Sequence, residues 1–141
     1  MSKSNAMETA LLKLVFQAVS WSNVARTAGM PITSVQVSLH TADPGENGTQ
    51  ETSEAAYGAY VRVSVARATT GWAVAAGVAN PAANISFAQA TSGTATITHF
   101  GIGTAASGAG ELMYSVTVSP SIAVVSGVTP ILTTASTITE S

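Results

Sequence analysis

From residue 34 onward, the sequence consists of short segments with strand character separated by turn residues. Several segments alternate between apolar and polar residues, as Val61-Arg62-Val63-Ser64-Val65 does, which is typical of a strand with one buried face. Turn clusters such as Asp43-Pro44-Gly45 separate them, and no helical periodicity intervenes. The pattern predicts eight strands: Ser34–His40, Ala59–Arg67, Trp72–Ala76, Asn84–Ala88, Thr94–Ile102, Leu112–Ser119, Ile122–Ser126 and Ile131–Thr139.

Eight strands without helices between them indicate an antiparallel sandwich or barrel. A jelly roll has this number of strands. The Cys–Trp–Cys signature of immunoglobulin-like sandwiches is absent, since the chain has no cysteine. We therefore predict an all-β, eight-stranded antiparallel jelly-roll sandwich over residues 33–141, preceded by a partly helical N-terminal arm over residues 1–32.

The arm contains one predicted helix. Thr9 is placed to cap a helix that begins at Ala10, and Lys13 and Gln17 mark its narrow polar edge. The other positions are apolar almost all round, so we expect this helix to be buried. It would pack either against the end of the β-domain or on a neighbouring subunit.

The apolar segment Leu11–Val19 is not predicted to be a signal peptide. Lys13 and Gln17 interrupt it, and no convincing small-residue cleavage site follows. Met7 offers an alternative start to Met1.

Charged residues are unusually rare in this chain. Only 12 of its 141 residues are Asp, Glu, Lys or Arg, whereas about a quarter is usual. The five basic residues are scattered, which argues against nucleic-acid binding because that needs a clustered basic face. No apolar run reaches the roughly 18 residues that cross a membrane. A neutral surface rich in small residues suits a protein within an assembly better than a free enzyme.

The longest segment without strand character, residues 41–58, carries four of the seven acidic residues: Asp43, Glu46, Glu51 and Glu54. A loop of this length is usually functional or poorly ordered. His40, Asp43 and Glu46 are three residues apart and offer ligands for a hard cation such as Ca²⁺. Calcium loops have a denser Asp/Asn alternation, so we favour a solvated acidic loop or an interface charge patch.

His40 and His99 lie near strand ends and are predicted to be able to meet across neighbouring strands. With Asp43 or Glu46 they would form an acid–base site. No nucleophile motif accompanies them, so we favour hydrogen-bonded, half-buried histidines that fix turns. No catalytic residue, metal or cofactor is predicted.

The glycines of Phe100-Gly101-Ile102-Gly103-Thr104 are not followed by a helix N-terminus, which argues against a phosphate-binding loop. They indicate strand kinks or sites of close backbone approach. The larger aromatic residues are too dispersed to predict a sugar-stacking platform, and we favour core or interface anchoring for them. They are Trp21, Tyr57, Tyr60, Trp72 and Tyr114.

Two stretches resemble a known family. The first is Val37-Ser38-Leu39-His40-Thr41-Ala42-Asp43-Pro44-Gly45-Glu46, continuing to Tyr60-Val61-Arg62-Val63, and the second is Thr98-His99-Phe100-Gly101-Ile102-Gly103-Thr104, closing on Gly110–Ser115. Over residues 33–140 the chain resembles small tailed-phage structural proteins, often labelled tail-fibre proteins. Within this family it is similar to a jelly-roll head cement protein.

The resemblance implies a non-enzymatic virion protein, made in the cytoplasm of the host bacterium. It would bind the outer surface of the phage head, associate with the major capsid protein and with itself as a symmetric dimer or trimer, and stabilise contacts between capsid subunits. No nucleic acid, membrane or cofactor is implied. The alternative is a tail or tail-fibre component that binds a receptor or carbohydrate.

Under the cement hypothesis, two kinds of side chain are candidates for contact with the capsid. They are the apolar residues of the arm and the C-terminal strand, which offer burial, and the acidic loop, which offers charge. The candidates are Leu11, Leu12, Val15, Phe16, Trp21, Asp43, Glu46, Glu51, Glu54 and Ile138.

Overall fold

The computed structural model describes residues 3–21 and 31–140. These residues are mostly β, with one helix and antiparallel sheets, which confirms the predicted all-β class; the jelly-roll arrangement stays a prediction. The elements are α1 (Asn5–Gln17), β1 (Ser34–His40), β2 (Val63–Ala66), β3 (Trp72–Ala75), β4 (Val78–Pro81), β5 (Ile85–Ser86), β6 (Ala95–Gly103), β7 (Leu112–Val124), β8 (Ile131–Leu132) and β9 (Ile138–Thr139). No helix in this part of the chain is long and apolar enough to span a membrane.

The chain packs as two compact units. The first consists of Met1–Ser34, Val65–Asn84 and Thr133–Ser141, and the second of Val35–Ser64 and Ile85–Leu132. Each unit is therefore assembled from segments that are distant in sequence. The division predicted from the sequence, an arm over 1–32 and a β-domain over 33–141, stays a prediction.

In the first unit, α1 begins earlier than its sequence suggests. Ser4 is the N-cap, and its hydroxyl accepts a hydrogen bond from the Met7 amide at 3.3 Å. The predicted start at Ala10 with Thr9 as the cap is wrong, because Ser4 is an equally good cap and Glu8 favours a first turn here. The Thr9 hydroxyl instead accepts from the Gly77 amide at 2.9 Å.

The helix α1 packs on β3 and β4 through its buried residues Leu12 and Phe16. The Phe16 ring lies 4.6 Å from the Trp72 ring, centroid to centroid. Gln17 donates from Nε2 to the Trp72 carbonyl at 3.0 Å. The helix packs on its own chain, and the predicted burial holds for the face that carries Leu12 and Phe16, whereas its other residues are half-buried or exposed.

The sheet of this unit has the order β3-β4-β9. Its central strand, β4, is missing from the sequence prediction because Asn80-Pro81 has the composition of a turn. Strand β9 pairs with β4 only at Val78 and Ala79. On the side of β4 that faces away from β3, no described strand is therefore paired with Pro81. The N–H that this proline lacks would have no partner there, so the proline costs no hydrogen bond.

The second unit is organised around a four-stranded sheet of order β2-β1-β6-β7. The strand β1 coincides with its predicted range, Ser34–His40, and all its residues after Ser34 are buried. Burial does not alternate strictly along β6, because Ile97 and Phe100, three residues apart, are both buried. An irregularity in the β6–β7 register between Ile97 and His99 accounts for this change of side.

Two predicted strands, Leu112–Ser119 and Ile122–Ser126, form the single strand β7. No turn separates the two parts, but the pairing with β6 is interrupted between Thr117 and Ile122, where the Ser119-Pro120 peptide bond is cis. Because β7 is the last strand in its sheet, a proline here removes no hydrogen bond from an interior ladder.

Other predicted strands are shorter in the structure, and of Asn84–Ala88 only Ile85–Ser86 forms a strand. The strand predicted over Ala59–Arg67 is reduced to Val63–Ala66. Ala59 has a positive φ of 71°, which is incompatible with extended backbone. The predicted Ile131–Thr139 strand is divided between β8 and β9, each of two residues.

Candidate functional site

The acidic loop after β1 is held by a buried histidine. His40 is fully buried, with Nδ1 2.8 Å from the Thr52 carbonyl and Nε2 2.8 Å from the Ser38 hydroxyl. Since a carbonyl oxygen only accepts, the neutral ring donates from Nδ1 to Thr52 and accepts at Nε2 from Ser38. Burial lowers the pKa of His40, against the opposing effect of the Thr52 hydrogen bond. This ring is therefore a neutral hydrogen-bonding anchor for the loop.

A second anchor is the pair formed by Arg62 and Glu54. Arg62 donates from Nε to Oε1 and from Nη2 to Oε2 of Glu54, both at 2.7 Å. It also donates to the carbonyls of Ala105 and Gly108, each at 2.8 Å. The Tyr60 hydroxyl donates to Glu54 at 2.8 Å. One guanidinium thus links the acidic loop to the segment between β6 and β7.

This pairing has consequences for the titration of its members. The hydrogen bond to Glu54 raises the pKa of Arg62. Burial raises the pKa of the Tyr60 phenol, whose oxygen also accepts from the Leu39 amide at 3.0 Å. Tyr60 therefore stays protonated and can donate to Glu54 continuously.

The two β6 glycines let buried polar side chains lie against the strand. A Cβ on Gly101 would lie 2.7 Å from His40 Nε2, and one on Gly103 would overlap Gln50. Gln50 is fully buried and accepts from the Ala105 amide at 2.9 Å. The prediction that these glycines permit close approach is confirmed.

The acidic residues predicted to form a charge patch have different environments. Glu54 is committed to Arg62, whereas Asp43, Glu46 and Glu51 are exposed. Asp43 and Glu46 line an open groove of about 480 Å³ together with Leu112–Ser115 of β7. Three of the four carboxylates are thus available at the surface, and two of them lie beside a sheet edge.

The apolar candidates for capsid contact are divided in the same way. Leu12, Phe16 and Ile138 are buried inside the first unit, at 0%, 0% and 1% exposure. Leu11, Val15 and Trp21 are half-buried. The first three contact their own chain, so only the second three have surface that a partner could reach.

The two histidines face each other as predicted, because His40 and His99 are register partners in the β1–β6 pair. The His99 ring lies 2.9 Å from the Thr98 hydroxyl and 3.4 Å from that of Thr117. Neither pairs with Asp43 or Glu46 among these contacts, so the acid–base arrangement is not assembled. Within the described ranges, no group of three His, Asp or Glu side chains could hold a metal ion.

The aromatic residues belong to separate cores. Trp72 packs in the first unit, whereas the Tyr57 and Tyr60 rings lie 5.3 Å apart in the second. The Tyr57 hydroxyl donates to the Ala88 carbonyl at 3.1 Å. This agrees with core anchoring rather than a sugar platform.

Sequence reasoning missed the roles of Arg62, Gln50 and Arg67. Arg62 lies on the polar side of an alternating segment and therefore has the appearance of a surface residue. No spacing rule connects it to carbonyls 43 and 46 residues later in the chain. The sequence offered one signal for these roles, which is the rarity of basic residues. Because the chain has only five of them, each is expected to have a structural partner.

Comparison with known proteins identifies the family. A family model described as podophage GP4 fiber I protein gp80 matches residues 2–139, which include α1 as well as both units. A comparison with curated proteins gives no match. The chain therefore belongs to the podophage GP4 fiber I protein gp80 family and is a phage structural protein.

Proposed function

We propose that this protein is a non-enzymatic component of a podophage fibre, where it acts through contacts with other virion proteins. The observation that carries the proposal is the family match over residues 2–139, whose description names a fibre protein. The buried polar groups support it. His40, Arg62 and Gln50 satisfy backbone groups of their own unit, which is the chemistry of a rigid scaffold rather than of a reaction site.

The exposed surface of the second unit supports the same role. The carboxylates of Asp43 and Glu46 stand beside the uncharged β7 edge, and the loop that carries them is held by His40 and Glu54. A charged loop held in one conformation loses little entropy when a partner binds. Such a surface suits repeated, shape-dependent contacts in a particle.

A second candidate function is a head cement protein that binds the major capsid protein on the outer surface of the head. The resemblance of the Val37–Glu46 and Thr98–Thr104 stretches to a cement protein favours it. The low charge content fits both candidates equally.

The location of the protein in the virion separates the two functions. We expect gold-labelled antibody against the purified chain to decorate the fibres of intact particles, with preimmune antibody as the control. Labelling distributed over the head would overturn the fibre proposal and support the cement function. Particles without label at either place would contradict both.

A further inference from the structure

The strand β7 forms one edge of the four-stranded sheet. The strand β6 is hydrogen-bonded to one side of it, and no strand within residues 3–21 or 31–140 pairs with the other side. Backbone groups on the outer side of an edge strand are the groups that can pair with a strand of another chain. The β7 edge is therefore a candidate interaction surface.

No charged side chain on β7 protects this edge against pairing with another strand. Natural edge strands are commonly guarded by charged side chains, prolines, bulges or short length. The strand β7 spans 13 residues and contains no Asp, Glu, Lys or Arg. Its interruptions are a register shift beside Leu112 and the proline at 120. The regularly paired segment between them, Tyr114–Thr117, carries no charged side chain.

The side chains of this segment match a second copy of the same segment. Ser115 and Thr117 are exposed, whereas Val116 between them is half-buried. In an antiparallel pair with its two-fold axis at Val116, residue 115 of each copy faces residue 117 of the other. Because side chains alternate with period two, hydroxyl residues then meet hydroxyl residues and apolar residues meet apolar residues.

The same symmetry places no like charges opposite each other, because neither strand carries a charge. An isologous interface needs one self-complementary patch, and the alternating segment supplies it. We propose that two copies of this chain associate through antiparallel pairing of their β7 edges, centred on Val116, to give a sheet continuous across both copies. This interface deepens the proposed structural role but does not depend on where in the particle the protein lies.

Charge complementation tests the register. We compare Ser115→Lys/Thr117→Lys with Ser115→Glu/Thr117→Glu by sedimentation at about 100 µM, a concentration suited to a micromolar dimer. The wild type is expected to dimerise, and each variant alone to be monomeric. A one-to-one mixture should dimerise again, because the introduced lysines of one copy face the introduced glutamates of the other. The control Thr69→Lys/Thr70→Lys, in an exposed turn of the first unit, should dimerise like the wild type.

A cysteine cross-link tests the same interface without adding charge. The chain has no cysteine, so Val116→Cys provides one thiol per copy. Opposite residues in an antiparallel pair are close enough for a disulfide. Oxidised glutathione should convert this variant, but not Thr69→Cys, into a covalent dimer. Any one of four results would overturn the interface. They are a monomeric wild type, a dimeric lysine variant, a mixture that stays monomeric, and a Val116→Cys chain that does not cross-link. Failure of the virion labelling alone would leave it standing.

Discussion

Arg62 uses its guanidinium to hold three separate backbone or side-chain groups of the second unit. Its partners are the Glu54 carboxylate and the carbonyls of Ala105 and Gly108. Only 2% of the Arg62 side chain and 16% of the Glu54 side chain are exposed. Removing one member of a buried pair leaves the other charge without compensation.

We predict that Arg62→Met lowers the free energy of unfolding by about 3–5 kcal/mol, since it leaves Glu54 buried and unpaired. Urea unfolding followed by circular dichroism measures the change. The control Glu51→Gln alters an exposed carboxylate of the same loop and should change stability by less than about 0.5 kcal/mol. A loss of under about 1 kcal/mol for Arg62→Met would contradict the assigned role.

The close approach of Gln50 to Gly103 gives a second prediction. Gly103→Ala adds a methyl group where the buried Gln50 side chain lies, and we expect a loss of about 1–3 kcal/mol. Gly108→Ala meets no atom within 4 Å and has only the strain of its φ of +77°. Stability measurements on double mutants should show that Gln50→Ala reduces the cost of Gly103→Ala but not that of Gly108→Ala. Additive costs at both positions would argue against the contact.

His40 gives a pH dependence with a defined sign. Burial holds its folded-state pKa below the ordinary value of 6.5. As the pH falls below that value, the unfolded chain binds a proton that the folded chain resists, so stability decreases with acidification. Urea unfolding between about pH 7 and pH 5 should show this decrease in the wild type and in His99→Asn. His40→Asn should have a flatter profile, and an unchanged slope would contradict the assignment.

At the scale of elements, α1 shows both what the sequence predicts and what it leaves open. Its nearly continuous apolar character predicts burial, and Leu12 and Phe16 are fully buried. Its start at Asn5 was missed because Ser4 and Thr9 are both good caps. Its partner strands could not be predicted, because nothing local in α1 identifies a surface that lies more than fifty residues later.

The C-terminal end of α1 shows why that partner matters. The last turn has no basic residue, and Arg67 supplies the charge from outside the helix. Its guanidinium donates to the carbonyls of Leu14 and Val15 at 2.8 and 2.7 Å, and to that of Ile32 at 2.6 Å. Cations at a helix C-terminus complement its free carbonyls.

We predict that Arg67→Met loosens the end of α1, because a charged hydrogen bond to the backbone contributes about 1.5–3 kcal/mol. Amide hydrogen exchange over residues 12–17 should accelerate by roughly tenfold or more, given that about 1.4 kcal/mol corresponds to a factor of ten. Lys13→Met removes a positive charge from the same helix without touching those carbonyls and is the matched control. Equal exchange in both variants would show that Arg67 does not hold the helix.

The predicted strand boundaries are wrong at two prolines for the same physical reason. Pro81 and Pro120 have turn-forming composition, but each lies where one side of its strand has no ladder partner. A proline there costs no hydrogen bond. Whether a strand is at an edge depends on the order of strands in the sheet, which a local pattern does not contain.

At the scale of the whole molecule, the alternation of apolar and polar residues was enough to predict an all-β chain, because this pattern within each segment is typical of a strand with one buried face. The division into two units was not predictable in this way. Each unit joins segments separated by tens of residues, and its contacts, such as that of Phe16 with Trp72, follow from packing rather than from spacing.

The exposed carboxylates lead to a prediction about assembly. Combined substitution of Asp43→Asn, Glu46→Gln and Glu51→Gln should weaken incorporation of the protein into particles more at low than at physiological salt. Screening acts within a Debye length of about 8 Å at physiological ionic strength. Quantitative blotting of purified particles measures incorporation, with the exposed Glu111→Gln as the control. Equal loss at both salt concentrations would indicate packing rather than charge.

Both ends of the described chain belong to the first unit, where Lys3 and Glu140 form an ion pair at 2.6 Å. A gene that recombines with a relative at one point joins the beginning of one parent to the end of the other. Wherever that point falls between α1 and β9, the first unit becomes a hybrid whose α1 and β9 come from different parents. The three segments of this unit alternate with the two segments of the second unit, so exchanging the first unit alone would take four crossover points, and its two ends are expected to be inherited together.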